Sequence, residues 1–536
     1  MKKIIALILV IATLSLCALS LASCGPDRVA DFVVPENGYD GSDVTITFYH
    51  TMGADLRKVL EDAIVDFNEI YPNITIVHEQ TGSYDDVRDT IKTEISVGAQ
   101  PNIAYCYPDH VALYNLAKAV VKLDDLIAST INVEGADGSS SILGLTQEQI
   151  GDFIPGYYEE GKQFDAEGTM YTIPLSKSTE LLYYNKTFFE ICQKIYASDI
   201  ELDMNGNPVY VYETDDKGEI KRDENGNPIP VLDANGNPQT KPNPNKGNEN
   251  YNIKLPTTWN EMEELCKKIK VIDPTSVPLG YDSESNWFIT MTEQLGSDYT
   301  SATGEHFIFD NEENYAFVEM FRGWYEKGYV TTQELNGGKY TSELFHASTG
   351  TKSYMSIGSS AGATKQRPSK DASGDYPFEV GIATIPQANP ADPKVISQGP
   401  SLCIFNKSNP QEVVASWLFV KFLATDVKFQ AKFSMVSGYV PVIQSVKNDP
   451  TYAEFLAKAD GKEYVAALAA KACLDQADAY YTSPAFNGSS TARDQVGILI
   501  QNCFTQKPQA GEDIKAMIKR LFAAAIAECE YHHPQM

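Results

Sequence analysis

The stretch from Val44 to Tyr107 alternates between two hydrophobic periods, and nothing else in the chain constrains the fold as strongly. VTITFYH (44–50) sets Val44, Ile46 and Phe48 on one face, the two-residue period of a strand. Leu56, Val59, Leu60, Ala63, Ile64 and Phe67 then follow the spacing of one helical stripe, which Tyr71-Pro72-Asn73 stops. ITIV (74–77) predicts a second strand, Val87, Ile91 and Ile95 a second helix, and IAYCY (103–107) a third strand. Strand, helix, strand, helix, strand predicts an α/β domain with a parallel sheet. Ligands of such sheets sit beyond the carboxyl ends of the strands. Gly82-Ser83-Tyr84 and Tyr107-Pro108-Asp109 fall there, so Tyr84 and Asp109 are candidate ligand contacts.

At 536 residues the chain is long enough for three or four domains of about 150 residues, or for two large lobes with insertions. GTMYTIPLSKSTELLYYNKTFF (168–189) holds two short strand-like runs around Pro174. Thr258 and Glu261 form a capping-box pattern ahead of Met262, Leu265, Cys266 and Ile269. Tyr315 to Tyr329 reads as an amphipathic helix, and 379–386 and 402–405 as strands. Asn409-Pro410 starts a helix through Trp417 and Phe422, and GYVPV (438–442) interrupts the helical patterns that run on to the C-terminus. Residues 203–250 stand apart. Asp203-Met204-Asn205-Gly206-Asn207-Pro208 recurs at 223–228 and 233–238, with strand-like VYVYET after the first copy. Asn-Gly between such runs predicts hairpin turns in a surface insertion. A calcium loop is the alternative, but the EF-hand needs glycine at its sixth position and here it is fourth.

The formal charge is −29, from 72 acidic and 43 basic residues. That excludes nucleic acid as a partner, because phosphate binding needs a basic surface. Lys2 and Lys3 precede an apolar run, Ile4 to Ser23, that ends Leu21-Ala22-Ser23-Cys24. This is the form of a bacterial lipoprotein leader, with residues 1–23 removed and Cys24 acylated. The expected location is therefore the outer face of the cell membrane, lipid-anchored. Residues 24–43, polar and containing Pro35, Gly38 and Gly41, read as a tether. Of nine cysteines, seven follow Cys24 without a CxxC, which predicts small buried hydrophobes, no disulfide framework and no zinc site.

Gly358-Ser359-Ser360-Ala361-Gly362 matches the GxSxG of hydrolases. Such an elbow needs a following helix and then a histidine, whereas ATKQRPSKD is a poor helix and the later histidines are only His532 and His533. A glycine-rich turn that brings backbone N–H groups to a ligand is the better reading. The seven histidines never take HxH or HExxH spacing, and no Walker A or GxGxxG occurs, so neither metal nor cofactor is expected. The chain has 30 Tyr, 23 Phe and 4 Trp. Tyr84, Tyr107, Trp287 and Tyr439 sit in predicted loops, where ring faces suit the C–H faces of a sugar or polyol.

In order along the chain, TITFYHTMG, DFNEIYPNITI, GAQPNIAYCYPD, GTMYTIPLSKSTELLYYNK, LPTTWNEMEELCKKIK, EVGIATIPQ, QGPSLCIF with NPQEVVASWLFVKFLATD, and SGYVPV resemble the family 1 extracellular solute-binding proteins of bacterial ABC importers. The resemblance spans nearly the whole chain after the leader except 203–250, and is closest to the glycerol-3-phosphate-binding members. It implies an α/β, two-lobed type II periplasmic-binding-protein fold, with a hinge and a ligand cleft between lobes. It places an N-terminal lobe at 44–175 plus 402–438 and a C-terminal lobe at 176–401 plus 439–536. Carried over by motif, the ligand contacts are Tyr84, Ser178, Ser359 or Ser360, Gly399 and Tyr439.

Two departures matter. The family's glutamate after the third strand aligns with Pro108, leaving Asp109 as the nearest substitute. The family's phosphate-contacting arginine, in an RLGN run, aligns with Ala485-Phe486-Asn487-Gly488, with Arg493 displaced. Without that charge a phosphate loses its bidentate partner, so a neutral saccharide stands beside a polyol phosphate as the expected solute. The resemblance implies a monomeric receptor that closes on its solute and hands it to permease subunits. The rival readings are a secreted hydrolase of the same glycans or esters, and a surface adhesin or sensor reusing the fold.

Overall fold

The computed structural model describes residues 31–165 and 167–533. The leader and Cys24 lie outside the described residues. The chain divides into two compact units, residues up to Leu175 with Pro400–Asp426, and Ser176–Gly399 with Val427 onward.

The first pass of the chain supplies β1 (Val44–His50), α1 (Ala54–Ile70), β2 (Ile74–Gln80), α2 (Tyr84–Ile95), β3 (Ile103–Cys106), α3 (Pro108–Asn115) and β4 (Ile173–Pro174). The second unit begins with β5 (Ser178–Asn185) and α4 (Lys186–Ala197). It continues with α5 (Trp259–Ile272), β6 (Leu279–Tyr281), α6 (Glu284–Leu295), α7 (Glu312–Glu326), β7 (Val330–Thr332), β8 (Met355–Ser359), β9 (Val380–Ala383) and β10 (Val395–Gln398). The chain returns to the first unit for β11 (Ser401–Ile404) and α8 (Pro410–Thr425). It ends in the second with α9 (Val427–Ser437), α10 (Val465–Asp475), β12 (Tyr480–Tyr481), α11 (Ser489–Thr505) and α12 (Ile514–His532).

The first unit's sheet has the order β2-β1-β3-β11-β4. β1 runs parallel to β2 and β3, as the alternating periods require, and β11 is antiparallel to β3 and β4. α8 is buried along most of its length, and its Trp417 indole donates to the Leu143 carbonyl at 2.8 Å. The second sheet runs β12-β10-β5-β8-β6-β7, with β9 also on β5. Its core gathers Trp259, Trp287, Phe321 and Trp324. All seven cysteines after Cys24 are buried and outside any disulfide, and burial pushes thiols such as Cys473 up to about 12.

Three boundaries differ from those expected, the smallest being that Pro400 and Ser401, expected in the second unit, belong to the first. The segment 427–438, which the resemblance placed in the first unit, belongs to the second. The crossing comes at Asp426, the C-cap of α8, whose N–H bonds the Phe422 carbonyl and separates two helices that read as one pattern. The tether also ends earlier. Gly38 is buried, its carbonyl accepts from Gln411 at 3.1 Å, and the Asp40 N–H donates to the same amide, so 38–43 are docked on the first unit.

The insertion folds as hairpins, with cross-strand bridges at Leu202–Pro208, Tyr210–Thr240, Tyr212–Pro230, Arg222–Pro228 and Leu232–Pro238. In each turn an aspartate Oδ1 accepts two backbone N–H groups, from Asn205 and Asn207 at Asp203 and from the equivalent residues at Asp223 and Asp233. A fourth turn, at Asp215, has the same geometry with Lys217 and Glu219. It escaped the sequence comparison because Lys and Glu replace the asparagines. The carboxylates are thus engaged by their own turns, an Asx arrangement rather than a calcium cage. No residue from 201 to 250 is buried.

Candidate functional site

In the first unit the residues beyond the carboxyl ends of β1–β3 form an aromatic face. Ser83 caps α2 through a reciprocal capping box with Asp86, which fixes Tyr84 as the first helical residue. Tyr107 occupies the N-cap of α3, where Pro108 pre-sets the first turn. The two rings stack at 4.1 Å and 18°, and Tyr84 also lies over buried Tyr105 at 5.4 Å. Both Tyr84 and Tyr107 are half-buried, as is Asp109 in the first turn of α3. Close by in the fold, His50 ends β1. Its Nδ1 accepts the Met52 N–H at 3.1 Å, so Nε2 carries the proton and donates to His78 Nδ1 at 3.0 Å. Burial, with the neighbouring His78 and Arg57, holds the His50 imidazole down at about 4. Buried Glu160 accepts from Ser401 at 3.3 Å.

The second unit presents a polar face, built where β5, β8 and β10 meet. Gln398 pairs with Ser178 and Ser359 with Glu180 across the strands. Glu180 is 3 % exposed. The Tyr281 hydroxyl donates to its Oε2 at 2.6 Å, and the Asn286 side chain also bonds it. Asn286, in the first turn of α6, accepts from Arg493 of α11, and its amide lies 2.8 Å from Gln398. Burial pushes the Glu180 carboxyl up to about 7, opposed by the Tyr281 and Asn286 hydrogen bonds and by the charge of Arg493.

Two glycines are required here. Gly399 has φ +117, and a Cβ would come 2.6 Å from the Ser176 carbonyl. Gly438 has φ +79, and a Cβ would run into the Ser360 carbonyl. The SGY turn therefore packs directly on the serine-glycine turn, which holds Tyr439 half-buried against Phe433.

Ser178, Ser359, Gly399, Tyr439 and Arg493 thus lie in one unit and Tyr84 and Asp109 in the other. Two expectations need correction. Trp287 is 0 % exposed, stacked on Tyr281 at 4.7 Å and against Phe321 at 4.2 Å, so it is core and offers no face to a solute. Ser360 is buried, and its Oγ accepts the Thr179 N–H at 3.2 Å, which leaves Ser359 as the exposed serine of the turn. Sequence reasoning missed Glu180, Asn286 and Gln398. The one available signal was an acid inside the otherwise apolar run STELLYY.

The sequence pattern of the bacterial extracellular solute-binding proteins matches residues 62–200 and 243–488. The chain belongs to this family. The gap in the match coincides with the hairpin insertion. This solute-binding protein is 25% identical over 146 residues to the sn-glycerol-3-phosphate-binding periplasmic protein UgpB of Escherichia coli (strain K12), a span of 27% of this chain and 30% of that protein. UgpB of Salmonella typhimurium matches to the same extent. The matched segment is thus under a third of the length of these curated relatives. Among solved structures, UgpB of Mycobacterium tuberculosis in complex with glycerophosphocholine superimposes with a TM-score of 0.62 at 16% identity, covering 91% of this chain and 99% of that one. The GacH receptor of Streptomyces glaucescens, solved unliganded and with acarbose, gives 0.60 at 14% identity over 90% and 98%. These superpositions establish a shared α/β fold. Among the described residues no helix is long and apolar enough to cross a membrane.

Proposed function

We propose that this protein is the solute receptor of an ABC importer, taking a saccharide or a polyol phosphate such as a glycerophosphate. Two observations support the reading, an aromatic face in the first unit and a polar cluster in the second. Stacked Tyr84 and Tyr107 supply the apolar surface that sugar C–H groups seek, and Asn286, Gln398 and Arg493 supply fixed donors and acceptors for hydroxyls. The two faces engage one solute by hinge closure, and the closed form is what permease subunits read. The receptor is monomeric and held at the outer membrane face by lipid on Cys24. UgpB and GacH, named for glycerol 3-phosphate and solved with acarbose, bracket the solute chemistry.

Thermal melting of the lipid-free protein beginning at Asp31, which keeps the docked 38–43 segment, tests this. A solute at 100 times its dissociation constant adds about 2.7 kcal/mol. A clear upward shift with at least one of glycerol 3-phosphate, glycerophosphocholine, maltose or longer saccharides is expected. No shift across that panel contradicts the proposal.

A further inference from the structure

We propose that Glu180 is the counter-ion of Arg493, and that this pairing makes the second unit's face select an uncharged polyhydroxyl solute over a phosphate ester. The inference rests on the receptor reading above and narrows its solute class.

The geometry is a relay. Arg493 donates to the Asn286 amide oxygen, and the Asn286 side chain bonds Glu180, so one amide bridges cation and anion. Tyr281 fixes the other side of the carboxylate at 2.6 Å. Gln398 stands 2.8 Å from Asn286 and, with its amide turned so that oxygen faces the guanidinium, accepts from Arg493 as well. A guanidinium that receives a phosphate does so with two parallel free N–H groups and an uncompensated charge. Here donor capacity is taken up by Asn286 and Gln398, and the charge is answered from behind.

The groups facing Glu180 are Tyr281 and Asp282 from β6 and its following turn, Asn286 from α6, Arg493 from α11 and Tyr481 from β12. Arg493 is the one cation among them, and Asp282 is a second carboxyl, half-buried, whose Oδ1 accepts from the Thr341 N–H at 2.7 Å. With Glu180 ionised, the Glu180–Arg493 cluster offers a phosphate no net positive charge; the Lys177 ammonium, immediately before the same strand, is engaged by the Gly399 carbonyl at 3.3 Å. The hydroxyls of a polyol, donors and acceptors at once, match the amides and the remaining guanidinium N–H groups. Burial raises the Glu180 carboxyl into the neutral range, so acid should protonate it and release the charge of Arg493.

Calorimetric titration of the protein with glycerol 3-phosphate at pH 8.0 and pH 5.5, on the parent and on Glu180→Gln, tests the pairing. The expected result is weak binding by the parent at pH 8.0, a gain of tenfold or more in Glu180→Gln, and a gain on acidification that the variant does not show. Adding Arg493→Gln should abolish the gain. If Glu180→Gln does not fold, Tyr281→Phe, which removes one hydrogen bond from the carboxylate, should shift affinity the same way by a smaller factor. Equal affinity in parent and variant, or no phosphate binding by either at both pH values, overturns the proposal. Saccharide binding with no effect of Glu180→Gln removes the pairing alone. A gain in Glu180→Gln with no melting shift from any uncharged solute leaves the pairing and removes the selectivity for polyhydroxyl solutes.

Discussion

The first unit buries a neutral imidazole beneath its aromatic face, the second a carboxyl beside a guanidinium, and the two titrate in opposite directions over one pH window. His50 is held neutral to about 4 against an ordinary value of 6.5. Its contribution is therefore full above pH 6.5 and lost as pH falls towards 4. Glu180 is raised from an ordinary 4.5 to about 7. Its contribution is full below pH 4.5 and lost as pH rises towards 7. Burial drives both shifts, but it disfavours a cation in one unit and an anion in the other. A single melting temperature would show little slope while each unit changes.

The largest effect expected is on the boundary between core and face. Trp287→Ala should lower the stability of the second unit by about 3–5 kcal/mol, the cost of emptying a large aromatic site. A variant that melts normally and only loses solute would return Trp287 to the face. Next, melting followed from pH 4.5 to 7 should tilt in opposite senses in two variants. Without the acid-labile His50, His50→Asn should become relatively more stable towards acid. Glu180→Gln should lose the parent's decline towards neutral pH. Each tilt should be on the order of 2 kcal/mol across the window. Tilts of the same sign would mean that burial acts on the two groups in the same direction. A smaller change is expected for Tyr84→Ala, which removes one ring of the stack and should weaken solute binding about tenfold, or about 1.4 kcal/mol, by calorimetry. The smallest is expected for deletion of 203–240. That segment buries no residue, and its turns are closed by their own aspartates. The melting temperature should move by no more than about 2 °C.

What could be read beforehand divides along the same line. β1, β2 and β3 were legible because a parallel strand and its helix each carry their own local period, so no distant residue was needed. Tyr84 and Asp109 followed, since the carboxyl end of a strand is fixed once the strand is. The second unit's face joins Glu180, Asn286, Gln398 and Arg493, which are separated by stretches of about 100 residues. No local pattern announces such a cluster, and an acid in STELLYY reads the same whether it meets water or Tyr281. Trp287 was misplaced for a related reason. ESNWFITMTEQL is apolar on several sides, as a helix enclosed by its neighbours must be, so it lacks the stripe that marks an amphipathic helix.

Whether both units hold one solute can be read by hydrogen exchange with and without a solute that raises the melting temperature. Slowed exchange is expected in both faces together, at 82–90 and 105–112 in the first unit and at 178–181, 396–399 and 486–495 in the second, with 203–240 unchanged. Protection confined to one unit, or appearing in the hairpin insertion instead, would contradict it.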